Sequence, residues 1–168
     1  MANFLRTTGI IHEIEELIVN AKVKLIILSP YIRMADIIIE RLKGKENKNI
    51  EIIFVYGKKE LNTNELKKIK SLSNIQLFFN KNLHGKFYAN EDNAIITSMN
   101  LYEFSERNNR EFGISVNKKI DSKIFQESME EVDSIIKNAT LVFTNKIANT
   151  NNEIIKPTIN FDFLQYLY

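Results

Sequence analysis

Imidazole chemistry near neutral pH has two possible sources in this chain of 168 residues, His12 and His84, because no other side chain changes charge there unperturbed. His12 lies among apolar residues at helical spacing and reads as an ordinary helix-surface histidine. His84 stands in different company. Lys86 follows two positions later, and in an extended segment that spacing puts both side chains on one face of a strand. Beyond a turn at Glu91 to Asn93, Ser98 and Asn100 recur with the same period of two, so pairing of the two strands would gather His, Lys, Ser and Asn. An imidazole that attacks or carries protons, an ammonium that neutralises non-bridging oxygens, and hydroxyl and amide donors that orient them are what phosphoryl chemistry needs without a metal. Spacing alone leaves the other reading open, in which each is a solvated strand residue.

Much other chemistry is excluded. There is no cysteine, which rules out disulfide frameworks, zinc ribbons, thiol catalysis and iron–sulfur ligation. No H-E-x-x-H, no carboxylate pair at metal spacing and no glycine-rich phosphate loop occurs, with only five glycines in total. Catalysis with no metal and no cofactor is therefore expected. No run approaches the roughly 18 to 20 apolar residues of a membrane-spanning helix, and the first residues lack the pattern of a secretion signal. A cytoplasmic protein with no membrane partner is the expectation.

These residues need a scaffold. The length suits one domain, and a composition 44% hydrophobic and 26% charged is that of a soluble globular protein. Ile10, Ile11, Ile14, Leu17, Ile18 and Ala21 predict an opening helix with Thr7 or Thr8 as N-cap. Strands are predicted at 23–29, 50–56 and 75–79, with helices at 34–42 and from Asn62 to about Leu72. Asn62 and Glu65 resemble a capping box. Two strands, 84–90 and 94–98, then join through a tight turn. A polar stretch from Tyr102 to Arg110 leads into a strand at 111–116 and a helix capped by Asp121. The helix–strand alternation predicts an α/β fold: a mixed, mostly parallel sheet flanked by helices on both faces. The catalytic domain is expected to span 1–140. Residues 141–168, ending in an aromatic cluster, form a tail without an assigned state, expected to pack on the domain or on a partner subunit.

The run from His84 to Glu91, the run from Ala94 to Leu101 and the run from Asn109 to Ile114 together resemble the phospholipase D superfamily signature, H-x-K-x4-D, then G-S-x-N, then a downstream acidic residue. Two positions depart from it: Glu91 stands at the aspartate and Thr97 at the glycine. The resemblance implies a phospholipase D-like fold, and it implies a homodimer, since members use two motifs per active site and this chain carries one. A two-fold axis would bring both copies of His84 and Lys86 together. It further implies that one His84 attacks phosphorus to give a phosphohistidine while the other protonates the leaving oxygen and then activates water. Such a pair requires one neutral and one protonated ring, which points to activity at mildly acidic to neutral pH. Among the carboxylates that would orient the imidazoles, Glu111 matches the family's downstream acidic residue. Glu91 is the second candidate, or else it simply holds its turn.

The catalytic set expected from the sequence is thus His84, Lys86, Asn100, Glu111 and Glu91, with Ser98, Arg107 and Arg110 binding substrate. From Arg41 to Lys86 eleven Lys and Arg face four Glu, a net charge of +7, which suits a polyanionic partner as well as it suits a merely solvated surface. A nuclease acting on nucleic acid, DNA ahead of RNA, is the function this favours. The alternatives are a phospholipid-processing enzyme, a non-catalytic nucleic-acid-binding module of the same fold, and the cleavage half of a restriction enzyme whose recognition part lies elsewhere.

Overall fold

The computed structural model describes residues 1–45, 50–58, 61–101, 109–146 and the backbone of 158 and 159. The most apolar runs of the sequence lie at the centre of one sheet. In β2 (Lys24–Leu28) and β3 (Glu51–Tyr56) almost every side chain is buried, as strands covered on both faces require. Leu25, Ile27, Ile52 and Phe54 belong to one core. Ile26, Leu28, Ile53 and Val55 point the other way into a second. The first core is closed by α1 (Thr7–Asn20), α2 (Asp36–Lys43) and α3 (Thr63–Lys70), and the second by α4 (Ser122–Lys137) through Phe125 and Val132. On α1, Ile10, Ile14, Leu17 and Ile18 are buried, each side chain stabilising the fold by about 1.5–3 kcal/mol relative to exposure.

The remaining strands are β1 (Asn3–Arg6), β4 (Ile75–Phe79), β5 (Lys86–Asn90), β6 (Asn93–Thr97), β7 (Phe112–Asn117), β8 (Thr140–Thr144) and β9 (Thr158–Ile159). The sheet order is β1-β7-β6-β5-β2-β3-β4-β8-β9. Helices on both faces and a mixed sheet agree with expectation; the predominance of parallel pairing does not. Only β2–β3 and β3–β4 are parallel, and every other neighbouring pair is antiparallel. The reason lies in connection length. A parallel crossover needs a dozen or more residues, and α2 and α3 supply them. From residue 80 to 85 only six residues lead from β4 to β5, and the β5–β6 turn is shorter still.

Three strands, β1, β8 and β9, lacked a sequence signal. β1 contributes one buried residue, Leu5, to an edge, and β8 pairs with β4 across the boundary expected at residue 140. The helix ends also differ in detail. Asn62 caps α3 by accepting the Asn64 N–H at 2.9 Å, but Glu65 does not close a capping box and accepts the Met34 N–H instead. Asp121 precedes α4 yet directs its carboxylate to the Asn117 N–H. Thr7 is the first residue of α1 and neither threonine caps it. The cluster at 161–168 lies outside the described residues. No helix among the described residues is long and apolar enough to cross a membrane.

Candidate active site

Three antiparallel strands bring the sequence motifs to one end of the sheet. Lys86 opens β5 opposite Thr97, the last residue of β6, and Thr97 in turn lies opposite Gly113 near the start of β7. His84, two residues before β5, is exposed at that end. Ser98 and Asn100 continue past β6, and Glu111 immediately precedes β7. The sequence thus placed His84, Lys86, Ser98, Asn100 and Glu111 at one sheet end. The facing residue of Lys86 is Thr97 rather than Ser98, a register one residue away from simple alternation.

Ser98 and Glu111 are joined directly: the Ser98 hydroxyl donates to Glu111 Oε2 and also accepts the Phe112 N–H at 3.2 Å. The Glu111 backbone is held from a third element, with its N–H donating to Thr7 Oγ at 3.0 Å. Asn100 is half-buried, and among the described residues its Oδ1 is buried without a hydrogen-bond partner. An orphaned buried acceptor costs about 1–3 kcal/mol and is rare in native structures.

Behind these residues lies a polar network that the sequence did not announce. Tyr88, two residues after Lys86 and on the same face, is fully buried and donates its hydroxyl to the Met99 carbonyl at 2.9 Å. Ser29, also fully buried at the end of β2, accepts the Leu101 N–H at 2.9 Å and donates to the Tyr31 carbonyl. Burial pushes the Tyr88 phenol above its ordinary range; a Ser29 hydrogen bond pulls it down and the nearby Glu111 charge pushes it further up. Tyr88 therefore stays a neutral donor beside the Glu111 carboxylate. A Ser-Pro ending to an apolar strand was the only available hint for Ser29.

Thr97, at the motif's glycine position, fits because its cross-strand partner has no side chain. A Cβ on Gly113 would come within 2.9 Å of Thr97 Cβ and 2.8 Å of the Ile96 carbonyl. The Thr97 hydroxyl bonds the Phe112 carbonyl at 2.9 Å and accepts the Met99 N–H at 3.1 Å, which shapes the turn into Ser98 to Asn100.

Glu91 is not part of this cluster. It follows β5 at its far end, about 17 Å along the strand from Lys86 at the usual rise. Its carboxylate accepts the backbone N–H groups of Lys22, at 2.8 Å, Val23 and Lys24, tying the end of α1 to β2. Burial pushes this carboxyl up, but those N–H groups together outweigh it and hold it below its usual value of 4.5. Turn-holding is the role this geometry fits. Arg110 is exposed beside Glu111; Arg107 lies outside the described residues.

At the same end of the sheet, on the face opposite Lys86 and Tyr88, lies an apolar patch. Phe4 and Ile96 each pair directly with Ile114, and Phe112 shares their face. All four are exposed, Phe4 by 68% and Phe112 by 61%. The two phenylalanine rings stack with centroids 6.4 Å apart.

Comparison with solved structures places this architecture. NucT from Helicobacter pylori superposes with a TM-score of 0.70 at 12% identity, over 84% of this chain and 98% of that one. Nuc from Salmonella typhimurium, a phospholipase D family member, gives 0.67 at 14% identity over the same shares. The chain has the phospholipase D fold. Phosphatidylserine synthase from Haemophilus influenzae shares it, with a TM-score of 0.65 at 12% identity over 90% of this chain but 41% of the synthase. No protein-family model and no curated protein sequence matches the chain. Within the phospholipase D fold, the end of the sheet that carries His84 is where the residues suited to phosphoryl chemistry meet.

Proposed function

We propose that the protein is a metal-independent phosphodiesterase that cleaves nucleic acid, DNA ahead of RNA, through a phosphohistidine at His84. The observation that carries this reading is the convergence of His84, Lys86, Asn100 and the Ser98–Glu111 pair on one end of a phospholipase D fold. In the first step a neutral His84 nitrogen forms a bond to phosphorus as the bond to the leaving oxygen breaks. That oxygen takes its proton from the His84 of a second copy. The second imidazole, now neutral, removes a proton from water, whose oxygen attacks phosphorus and expels the first His84. Lys86 and the Asn100 amide stabilise the non-bridging oxygens as negative charge concentrates on them. Glu111 orients an imidazole, its own position fixed by Ser98 and Thr7.

A second copy is required by this scheme, and the patch of Phe4, Ile96, Phe112 and Ile114 at the same sheet end, on the face opposite Lys86, is a surface on which it would dock. Contiguous exposed apolar residues of this kind mark interaction sites. Phospholipid processing is the second reading, since a phosphatidylserine synthase shares the fold and a fold does not fix its substrate. The cationic excess between Arg41 and Lys86, and coverage of nearly the whole of Nuc and NucT against less than half of the synthase, favour the first.

The test is hydrolysis of bis-p-nitrophenyl phosphate in EDTA, followed by labelled DNA and phospholipid as competing substrates. Turnover in chelator, with DNA cut and lipid untouched, is expected. Loss of activity in EDTA with rescue by a divalent ion would overturn the mechanism. Turnover of lipid alone would overturn the substrate.

A further inference from the structure

The rim that carries His84 continues past β5 to the ends of β2 and β3, where a cavity of about 620 Å³ opens. Its walls include Tyr31, Arg33, Tyr56, Lys58, Asn62 and Lys68, and its size is that of a small-ligand site. Its construction ties it to the segment that carries His84. The Pro30 carbonyl accepts the N–H groups of both Gly57, at 3.2 Å, and Lys58, at 3.1 Å, which holds Tyr31 and Lys58 at one corner. Gly57 packs so tightly on the residue before His84 that a Cβ there would lie 2.5 Å from the Leu83 carbonyl. Gly57, between the lining residues Tyr56 and Lys58, thus links this corner of the cavity to the segment that leads into His84. The cavity also lies on the side of β5 away from the Phe4–Phe112 patch.

Charge and shape narrow the occupant. Lys68 is engaged by Asp36, at 3.1 Å, and Glu65, at 3.4 Å. Among the described residues Arg33 and Lys58 also line the cavity, and Glu65 is the one carboxylate that does. Tyr31 is 46% exposed, and Asn62 and Asn64 stand at the first turn of α3. Cations for a phosphate, amides for sugar or base edges, and an accessible aromatic ring for stacking form the set of groups that binds a single-stranded nucleotide. An acyl chain would find this lining too polar.

We infer that this cavity is a subsite for the nucleotide flanking the scissile phosphate, with its phosphate at Lys58 and its base stacked on Tyr31. The inference rests on the phosphodiesterase reading for its position relative to His84. A base reaches Tyr31 only when it is out of a duplex, so the subsite selects single strands.

The experiment compares wild type with Tyr31→Ala, Tyr31→Phe and Lys58→Ala on a fluorophore–quencher oligodeoxynucleotide and on bis-p-nitrophenyl phosphate, which is too small to fill the subsite. The ratio of kcat/KM on the oligonucleotide to that on the small diester is expected to fall about ten-fold or more for Tyr31→Ala and Lys58→Ala. It should be preserved in Tyr31→Phe, which keeps the ring. Unchanged ratios would overturn the subsite, as would Tyr31→Phe behaving like Tyr31→Ala. A selective loss of turnover on phosphatidylglycerol vesicles would transfer the cavity to a lipid headgroup and overturn it equally. Fluorescence anisotropy of the same oligonucleotide, single-stranded and duplex, separates the two claims. If wild type cleaves neither substrate, the phosphodiesterase reading fails. Tighter binding of the single strand, weakened about ten-fold by Tyr31→Ala, would still uphold the subsite, and equal binding by all four proteins would end it.

Discussion

Ser98 donates its hydroxyl hydrogen to the carboxylate of Glu111 where β6 ends and β7 begins, and the Glu111 N–H is held in turn by Thr7 at the start of α1. Each member of the Ser98–Glu111 pair thus fixes the other. The pairing predicts that their contributions do not add. Glu111→Ala should lower kcat on bis-p-nitrophenyl phosphate by about 10²-fold, the low end for a group acting on an acid–base pair, and Ser98→Ala by less. The double variant should lose less than the product of the two, because the second change removes an interaction already broken. Strict multiplicativity in a four-protein kinetic cycle would show that the two act separately.

In the proposed mechanism Lys86 and Asn100 stabilise the developing charge rather than the ground state. Lys86→Ala and Asn100→Ala should each cost about 2–4 kcal/mol of transition-state stabilisation, with kcat and kcat/KM falling together. Asn100→Ala should do so without lowering Tm, since it removes a buried acceptor that has no partner among the described residues. A rise in KM alone would assign these residues to substrate binding.

Glu91 makes the opposite prediction. Its folded-state pKa is lowered, so its stabilisation is complete above the ordinary value of 4.5 and disappears as pH falls through the folded value. Glu91→Gln should cost about 1.5–3 kcal/mol at pH 7, the range for hydrogen bonds to a charged group. The gap in Tm between variant and wild type should close in acid below 4.5. A variant of native stability that has lost turnover would return Glu91 to the catalytic set.

The Phe4–Phe112 patch carries the dimer prediction. Phe112→Asp places a charge in the apolar face while its exposed position spares the fold. Light scattering should show dimeric wild type and monomeric variant, with turnover lost in the monomer. A monomeric wild type that retains activity would remove the second copy from the mechanism.

What was legible in the sequence was local. Apolar periodicity found α1 and the cores of β2, β3 and β4, and the turn residues at Glu91 to Asn93 found the β5–β6 hairpin. The order of motifs placed His84, Lys86, Ser98, Asn100 and Glu111 at one sheet end. Pairing direction was not legible, because helix–strand alternation describes residues 7 to 79 and says nothing of the short connections that follow. β1 was hidden because a four-residue edge strand with one buried side chain has no period to detect. The Ser29–Leu101 bond joins residues 72 apart, a relation that no spacing rule carries. Glu91 was drawn into the site by its place in the motif, and only the direction of β5 shows how far from Lys86 it stands.

The central claim is that phosphorus is transferred to His84. The most direct measurement is tandem mass spectrometry of protein mixed with a cleavable diester in EDTA and quenched in base, where phosphohistidine survives. An adduct on His84 that carries the phosphorus with its remaining ester group, forms and decays with turnover, and is absent along with turnover in His84→Ala, is the result expected. Sustained hydrolysis by His84→Ala, or an adduct on any other residue, would contradict it.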